Sequence, residues 1–355
     1  MTNSVKIESA LNVNLKQLSD ILGLSQTTVS RALNGYPEVS EDTRRRVRAA
    51  ATKHGYRPNS RAKGLATGRA MAIGHVIPIL SNHEIMNPVF GDFIAGAGEV
   101  YAQSGYDMVM SVVPDGNEGR AYRDMKARGT VDGVILHGPL IEDARIALLT
   151  EIGLPFVVHG RSSRAELPYP WVDVNNRRAF QRATRFLIDF GHRRIALLNG
   201  LERMDFAHRR RLGYEAALRE AGIAPDPALM ASEEMTEGYG YRCARAMLRL
   251  PDPPTAFLTA SLLMAIGVRR AAEEAGLTMG RDFSVITHDD ELSYLKNGED
   301  VPVFTATRSS VREAGKIAAR LLIDRIADPA AEPQIRELEA ALVVGQSTGP
   351  APGPR

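Results

Sequence analysis

The sequence predicts a small all-α head of the helix-turn-helix type, followed by a larger α/β core of two lobes built on parallel sheets. Three observations carry this. Residues 14–33 show two short amphipathic helical periods separated by a glycine. From Met71 onward, short apolar runs alternate with helical stretches, the pattern of parallel strands covered by helices on both faces. Charge is segregated along the same division: residues 1–69 hold 12 Lys and Arg against 5 Asp and Glu, and the remainder holds 32 against 37. A net charge of only +2 therefore hides a basic head on a slightly acidic body, the electrostatic footprint of a nucleic-acid-binding module.

The first helix is expected to start after Asn14, a good cap, with Leu15, Leu18, Ile21 and Leu22 on one apolar stripe. Gly23 supplies the left-handed residue that ends it. Ser25 then caps a second helix that buries Val29, Ala32 and Leu33 and leaves Gln26, Thr27, Ser30 and Arg31 on a polar face. Such a face can read base edges in a major groove, since Arg grips guanine in a fork and Gln can do so with adenine. Ser40 caps a third helix from about Glu41, where Val47, Ala50 and Ala51 close a small core. Arg44, Arg45, Arg46 and Arg48 load that helix with positive charge.

In the core, residues 72–78, 107–113, 133–136, 156–159, 194–198, 256–259 and 284–287 read as buried strands. Residues 92–105, 177–191, 210–222 and 262–276 read as helices between them. About 275 residues exceed what one such core usually takes, so two lobes are expected. The single cysteine, Cys243, leaves no intrachain disulfide and argues against a zinc cluster. No cofactor or metal is expected. The N-terminal segment lacks an apolar signal core and no run is long enough to cross a bilayer, so a cytoplasmic location with no membrane partner is expected. A Rossmann-type enzyme is the rival class. The chain shows no G-x-G-x-x-G after a strand, no Walker A loop, no G-x-S-x-G and no H-E-x-x-H, so it does not read as an enzyme.

Three blocks together carry a resemblance: Thr28-Val29-Ser30-Arg31-Ala32-Leu33-Asn34, Val39-Ser40-Glu41-Asp42-Thr43-Arg44 and Gly55-Tyr56-Arg57-Pro58-Asn59. Their sequence and spacing resemble the head of the lactose-repressor (LacI/GalR) family. The resemblance implies that Gln26, Thr27 and Arg31 read bases, while Ser25, Thr28, Ser30, Asn34, Tyr56 and Asn59 hold phosphates and set register. It divides the chain into a DNA-binding domain at 1–58, a hinge at 59–69, a two-lobed effector and dimerisation core at 70–345 and a disordered Gly/Pro-rich tail at 346–355. In the hinge it implies a short helix formed only on operator DNA, with Ala62 and Leu65 at the minor groove and Leu65 as a wedge that kinks the duplex. The core resembles the periplasmic sugar-binding proteins, two lobes about a cleft, with the chain crossing between them near residues 160, 300 and 328.

Ligands of open α/β sheets bind beyond the carboxyl ends of the strands. By resemblance, Arg210 and Asp289 grip ligand hydroxyls, a pairing of forked donors with paired acceptors that suits a sugar. Asn87 and Phe90 follow the first strand in a segment that resembles a family pocket, Phe206 can stack on a pyranose face, and Ser261 ends another strand. Two positions depart from the family pattern: Ser261-Leu262 replaces the usual Asn-Asp, and Arg308-Ser309 stands where a basic residue is often followed by Gln. The smaller Ser261 leaves room for a disaccharide, and the resemblance leans toward α-glucosides. The implied protein is a homodimeric repressor of double-stranded operator DNA, modulated by a small sugar. A ligand-dependent activator, or a corepressor-type regulator with a non-sugar effector, is the alternative.

Overall fold

The computed structural model describes residues 13–33, 36–56, 68–79, 87–288 and 291–353, and the chain divides into two compact units, Met1–Ala70 and Met71–Arg355. In the first unit, α1 (Leu15–Leu22), α2 (Gln26–Leu33) and α3 (Glu41–Lys53) pack around the buried Leu18, Val29, Ala32 and Val47. Helix starts are fixed locally. Asn14 and Gln17 form a reciprocal capping box, with Gln17 N donating to Asn14 Oδ1 at 3.0 Å and Asn14 N donating to Gln17 Oε1 at 2.9 Å. Ser25 Oγ accepts from Thr28 N at 3.1 Å, and Ser40 Oγ accepts from Thr43 N at 3.4 Å. Gly23, at φ +63°, turns the chain out of α1.

Two sequence readings of this unit change. Ile21, expected on the buried stripe, is 52% exposed, because α1 turns Leu18 and Leu22, with Leu15 beside them, toward the other two helices. The arginines of α3 are also partly structural. Arg46 Nη2 donates to Leu22 O at 2.6 Å, satisfying a carbonyl at the end of α1, and Arg44 Nε donates to Val39 O at 3.0 Å.

In the second unit, lobe one contains β1 (Ala72–Ile79), α4 (Pro88–Ser104), β2 (Asp107–Pro114), α5 (Glu118–Arg128), β3 (Gly133–His137), α6 (Ala144–Glu151), β4 (Phe156–His159) and β5 (Trp171–Val174). Lobe two runs through α7 (Asn176–Asp189), β6 (Ile195–Asn199), α8 (Asp205–Glu220), β7 (Met230–Ser232), α9 (Glu237–Met247), β8 (Ala256–Thr259), α10 (Leu262–Glu274), β9 (Ser284–His288) and β10 (Thr305–Arg308). Then α11 (Val311–Ala327) and β11 (Ile335–Leu338) return to lobe one, and β12 (Ala341–Val343) closes lobe two. The sheet orders are β11-β5-β4-β3-β1-β2 and β12-β10-β9-β8-β6-β7, the same topology twice. Pairing is parallel except between β10 and β12. The exception follows from connectivity: the chain leaves β11 at its carboxyl end and enters lobe two from the cleft, so β12 runs opposite to its neighbour.

The crossings fall at 174–176, 308–311 and 338–341, later than the expected 160, 300 and 328, because β5 and then β11 extend the lobe-one sheet, and β10 the lobe-two sheet, before the chain leaves each lobe. Two helices begin earlier than expected. Asn87 Oδ1 accepts from Val89 N at 3.0 Å and starts α4 at Pro88, and α8 starts at Asp205, which places Arg210 in its second turn rather than at its mouth. The tail, expected to be disordered, is instead bonded to lobe two as far as Ala351. Ser347 is buried and donates to Val285 O at 2.5 Å, Thr305 N donates to Ser347 Oγ at 2.7 Å, and Ala351 N donates to Phe190 O at 2.8 Å. A Gly/Pro-rich segment has no periodicity to read, but it lies against the exposed backbone of lobe two and satisfies polar groups there.

Candidate nucleic-acid interface and ligand cavity

On α2, Gln26, Thr27 and Arg31 are exposed, while Thr28 and Ser30 are half-buried beside the core residues Val29 and Ala32. Ser25 Oγ lies 2.8 Å from Thr28 Oγ1, so both hydroxyls sit at the amino end of this helix. Backbone N–H groups and hydroxyls at a helix N-terminus suit a phosphate oxygen, and the exposed amide and guanidinium beyond them suit base edges. Tyr56 is half-buried against the head core. Asn34, Asn59, Ala62 and Leu65, and the hinge as a whole apart from its last two residues, lie outside the described residues.

The core holds a cavity of about 640 Å³ between its lobes, at the carboxyl ends of both sheets. Asn87, Phe90, Phe206, Arg210 and Ser261 all line it, so five of the six sequence-derived ligand candidates converge on one space; Asp289 lies outside the described residues. Arg210 is held from three sides. Its Nε donates to Asn176 Oδ1 at 2.7 Å, its Nη1 donates to Ala260 O at 3.0 Å, and its guanidinium lies over Phe206 at 4.8 Å and Phe180 at 5.3 Å. A planar cation stacked and bonded in this way is preorganised, so it loses little freedom when it meets a ligand. Ser261 Oγ accepts from Met264 N at 3.4 Å and caps α10, while its side chain faces the cavity.

The sequence reading missed the lobe-one wall. His137 and His159 line the cavity, and His75 lies behind them. His75 Nδ1 is 2.9 Å from His137 Nε2, and His137 Nδ1 is 3.4 Å from His159 Nδ1. Phe93 stacks on His159 at 4.0 Å and meets His137 edge-on at 5.1 Å. Burial lowers His75 and His159 to about 4 and holds His137 well below the usual imidazole range, with Arg145 and the neighbouring imidazoles adding to the effect. His288 also lines the cavity; it is fully buried, 2.6 Å from Thr307 Oγ1, and burial together with Arg210 lowers its pKa as well.

The lobes meet at the mouth of this cavity. Asp205 N donates to Pro139 O at 3.0 Å, Ser163 N donates to Asp205 Oδ2 at 2.8 Å, and Arg209 Nη2 lies 2.5 Å from Asp173 Oδ2. Burial nevertheless pushes the Asp173 carboxyl up to about 6, against the pull of Arg209 and Arg161. The space is a cleft between the lobes, aromatic on two sides and provided with oriented donors, which fits the capture of a small molecule. Among the described residues no helix is long and apolar enough to cross a membrane, and no cluster of His, Cys, Asp and Glu could hold a metal.

Residues 16–59 match the family described as bacterial regulatory proteins, lacI family, and residues 184–348 match the periplasmic binding protein-like domain. The HTH-type transcriptional regulator AglR of Rhizobium meliloti (strain 1021) is 46% identical over 340 residues, covering 96% of this chain and 95% of that protein. Among solved structures, the transcriptional regulator CelR in complex with cellobiose shares 30% identity with a TM-score of 0.70, covering 94% of this chain and 99% of that one. The Lac repressor dimer bound to operator and the anti-inducer ONPF shares 27% identity with a TM-score of 0.79, covering 95% of this chain and 99% of that one. With a basic three-helix head, a twice-repeated α/β topology about an interlobe cavity and a relative this similar along nearly its full length, the chain belongs to the lacI family of bacterial regulatory proteins and is a transcriptional regulator rather than an enzyme.

Proposed function

We propose that this regulator is a cytoplasmic repressor that grips a near-palindromic operator as a homodimer and is released by a neutral sugar, a disaccharide of the α-glucoside type, bound between its lobes. The observation that carries the ligand reading is the Arg210 guanidinium, fixed over Phe206 on one side of the interlobe cavity with Phe90 and Ser261 around it. Aromatic faces suit the C–H face of a pyranose, and oriented N–H donors suit its hydroxyls. That CelR was solved with cellobiose supports a disaccharide in this fold. Homodimer formation is supported by β2, an edge strand of its sheet that leaves Met110 and Val112 40% and 46% exposed.

In this reading Gln26, Thr27 and Arg31 read bases, Leu65 wedges the minor groove, and Asp289 joins Arg210 on the sugar. Sugar binding releases DNA only through its preference for the DNA-free state, a coupling of about 1–3 kcal/mol. A thermal-shift panel of neutral mono- and disaccharides, sugar phosphates and nucleobases tests the ligand class. Stabilisation by a neutral disaccharide that also weakens operator binding supports the proposal. A response confined to phosphorylated sugars or nucleobases rejects the sugar, and a ligand that strengthens operator binding rejects induction in favour of corepression.

A further inference from the structure

From the lobe-one wall inward runs a continuous line of four polar groups, with His159 and His137 lining the cavity and His75 and Tyr101 buried behind them. Tyr101 OH is 3.1 Å from His75 Nε2, His75 Nδ1 is 2.9 Å from His137 Nε2, and His137 Nδ1 is 3.4 Å from His159 Nδ1. Each neutral imidazole carries one N–H and one bare nitrogen, so such a line has only two consistent polarities. If Tyr101 donates, every N–H points toward the cavity and His159 ends the line as the Nε2–H tautomer. If the line runs backwards, His75 Nε2–H donates to Tyr101, whose own proton then needs an acceptor. Tyr101 is 1% exposed, and among the described residues its hydroxyl has no partner besides His75. An unmet buried donor is costly, so the first polarity holds. The low basicity of all three imidazoles keeps them neutral and the line intact at neutral pH.

We propose that Tyr101, His75 and His137 form a fixed-polarity line of positioning residues that locks His159 as an Nε2–H donor in the cavity, so that lobe one selects an effector presenting an oxygen acceptor there, such as a hydroxyl, ring or glycosidic oxygen. His159 lines the cavity, and no group among the described residues bonds its Nε2. The ligand half of this inference rests on the proposed sugar site; the tautomer half does not.

The test has two separate readouts on the full chain. Two-bond ¹H–¹⁵N spectra of ligand-free, ¹⁵N-histidine-labelled protein, assigned with single variants among the eight histidines, should show His159 protonated at Nε2 only. Tyr101→Phe, which removes the proton that sets the polarity, should bring in the Nδ1–H form. A purely structural role for Tyr101 would leave the tautomer unchanged, and an Nδ1–H signal for His159 in the unsubstituted protein would overturn the line. The second readout is calorimetric titration with maltose, trehalose, sucrose and cellobiose. Affinity for whichever of these binds should fall about tenfold in His159→Phe and return to within about threefold in His159→Gln, whose amide keeps a donor near the same place. Unchanged affinity in His159→Phe would overturn the contact. If none of the four binds the unsubstituted chain, the disaccharide reading fails along with the contact, and the spectra alone still decide the line.

Discussion

Arg209 of α8 and Asp173 of β5 face each other across the two lobes, Nη2 to Oδ2 at 2.5 Å, each side chain only 5% exposed. The contact joins charges rather than forming an aligned hydrogen bond, since neither atom meets a partner with hydrogen-bond geometry. Arg209 Nε also donates to Asp205 Oδ1 at 2.5 Å, so one cation serves two buried carboxylates. Incomplete compensation explains why Asp173 sits near 6 despite its cationic neighbours. Removing one member of a buried pair leaves the other charge stranded. Arg209→Ala is therefore expected to destabilise the core by about 3–5 kcal/mol. Urea unfolding followed by the fluorescence of the single tryptophan, Trp171, in the same strand as Asp173, checks this. Arg209→Lys should recover only part, because a point charge cannot fork to both carboxylates. An unshifted midpoint for Arg209→Ala would mean that the pair contributes nothing to the core.

The buried histidines fix the acid side of the stability profile. His75 and His159 fall from the ordinary 6.5 to about 4 on folding. The unfolded chain therefore binds protons that the folded chain refuses, and stability is lost as pH drops from about 6.5 toward 4. At neutral pH each contributes on the order of 3 kcal/mol that disappears over this window. Asp173 opposes them, since its raised pKa makes the folded state the better proton binder between 3.8 and about 6. The net expectation is a falling Tm between pH 7 and pH 5. A Tm that stays level or rises over this range would show that the imidazoles are not held neutral.

What the sequence shows of this architecture divides by range. Caps at Asn14, Ser25 and Ser40 and the αL turn at Gly23 depend on neighbours a few residues away, and the strand cores on short apolar runs, so both are legible in one dimension. The histidine wall is not. His137 and His159 meet because β3 and β4 pair in register, and His75 joins them as a diagonal neighbour on β1, two positions back from His137. Each one, read alone, is a single His in an apolar run. Arg210 is recognisable by resemblance, but its clamp by Asn176 and the Ala260 carbonyl depends on where three separate segments of lobe two converge. The tail misled for the opposite reason: its contacts are backbone and hydroxyl bonds that leave no pattern.

The proposed base-reading role of Arg31 can be separated from the structural role of Arg46. Arg31 is exposed on α2, whereas Arg46 closes the end of α1 through Leu22 O. After an operator is selected from random duplexes, Arg31→Ala should cost about 1–3 kcal/mol on that operator and relax discrimination at one base position in each half-site. Arg46→Met should instead raise the hydrogen-exchange rates of α1 amides in the full chain while leaving base discrimination unchanged. Undiminished discrimination by the Arg31 variant, read in a binding titration across single-base operator variants, would remove it from the set of base-reading residues.

Lobe one also depends on a helix contact that no side chain can share. A Cβ added at Gly96 of α4 would lie 2.0 Å from Arg312 O, and one added at Gly315 of α11 would lie 2.2 Å from Phe93 O. The backbones of α4 and α11 thus touch directly, and α11 reaches lobe one only after the chain has passed through lobe two. Because backbone cannot yield as a side-chain tip can, Gly315→Ala must push the helices apart along the wall that carries Phe93 and, through it, His159. We expect a loss of about 1–3 kcal/mol, the usual cost of overpacking. Gly98→Ala, two residues from Gly96 in α4 and meeting only Met108 Cε at 3.7 Å, should be neutral or stabilising by about 0.5–1 kcal/mol through helix propensity. Urea unfolding of the two variants side by side isolates the contact from the propensity effect. Equal midpoints would show that α11 can shift to accept the methyl group, and with it that the wall behind the cavity is softer than its packing implies.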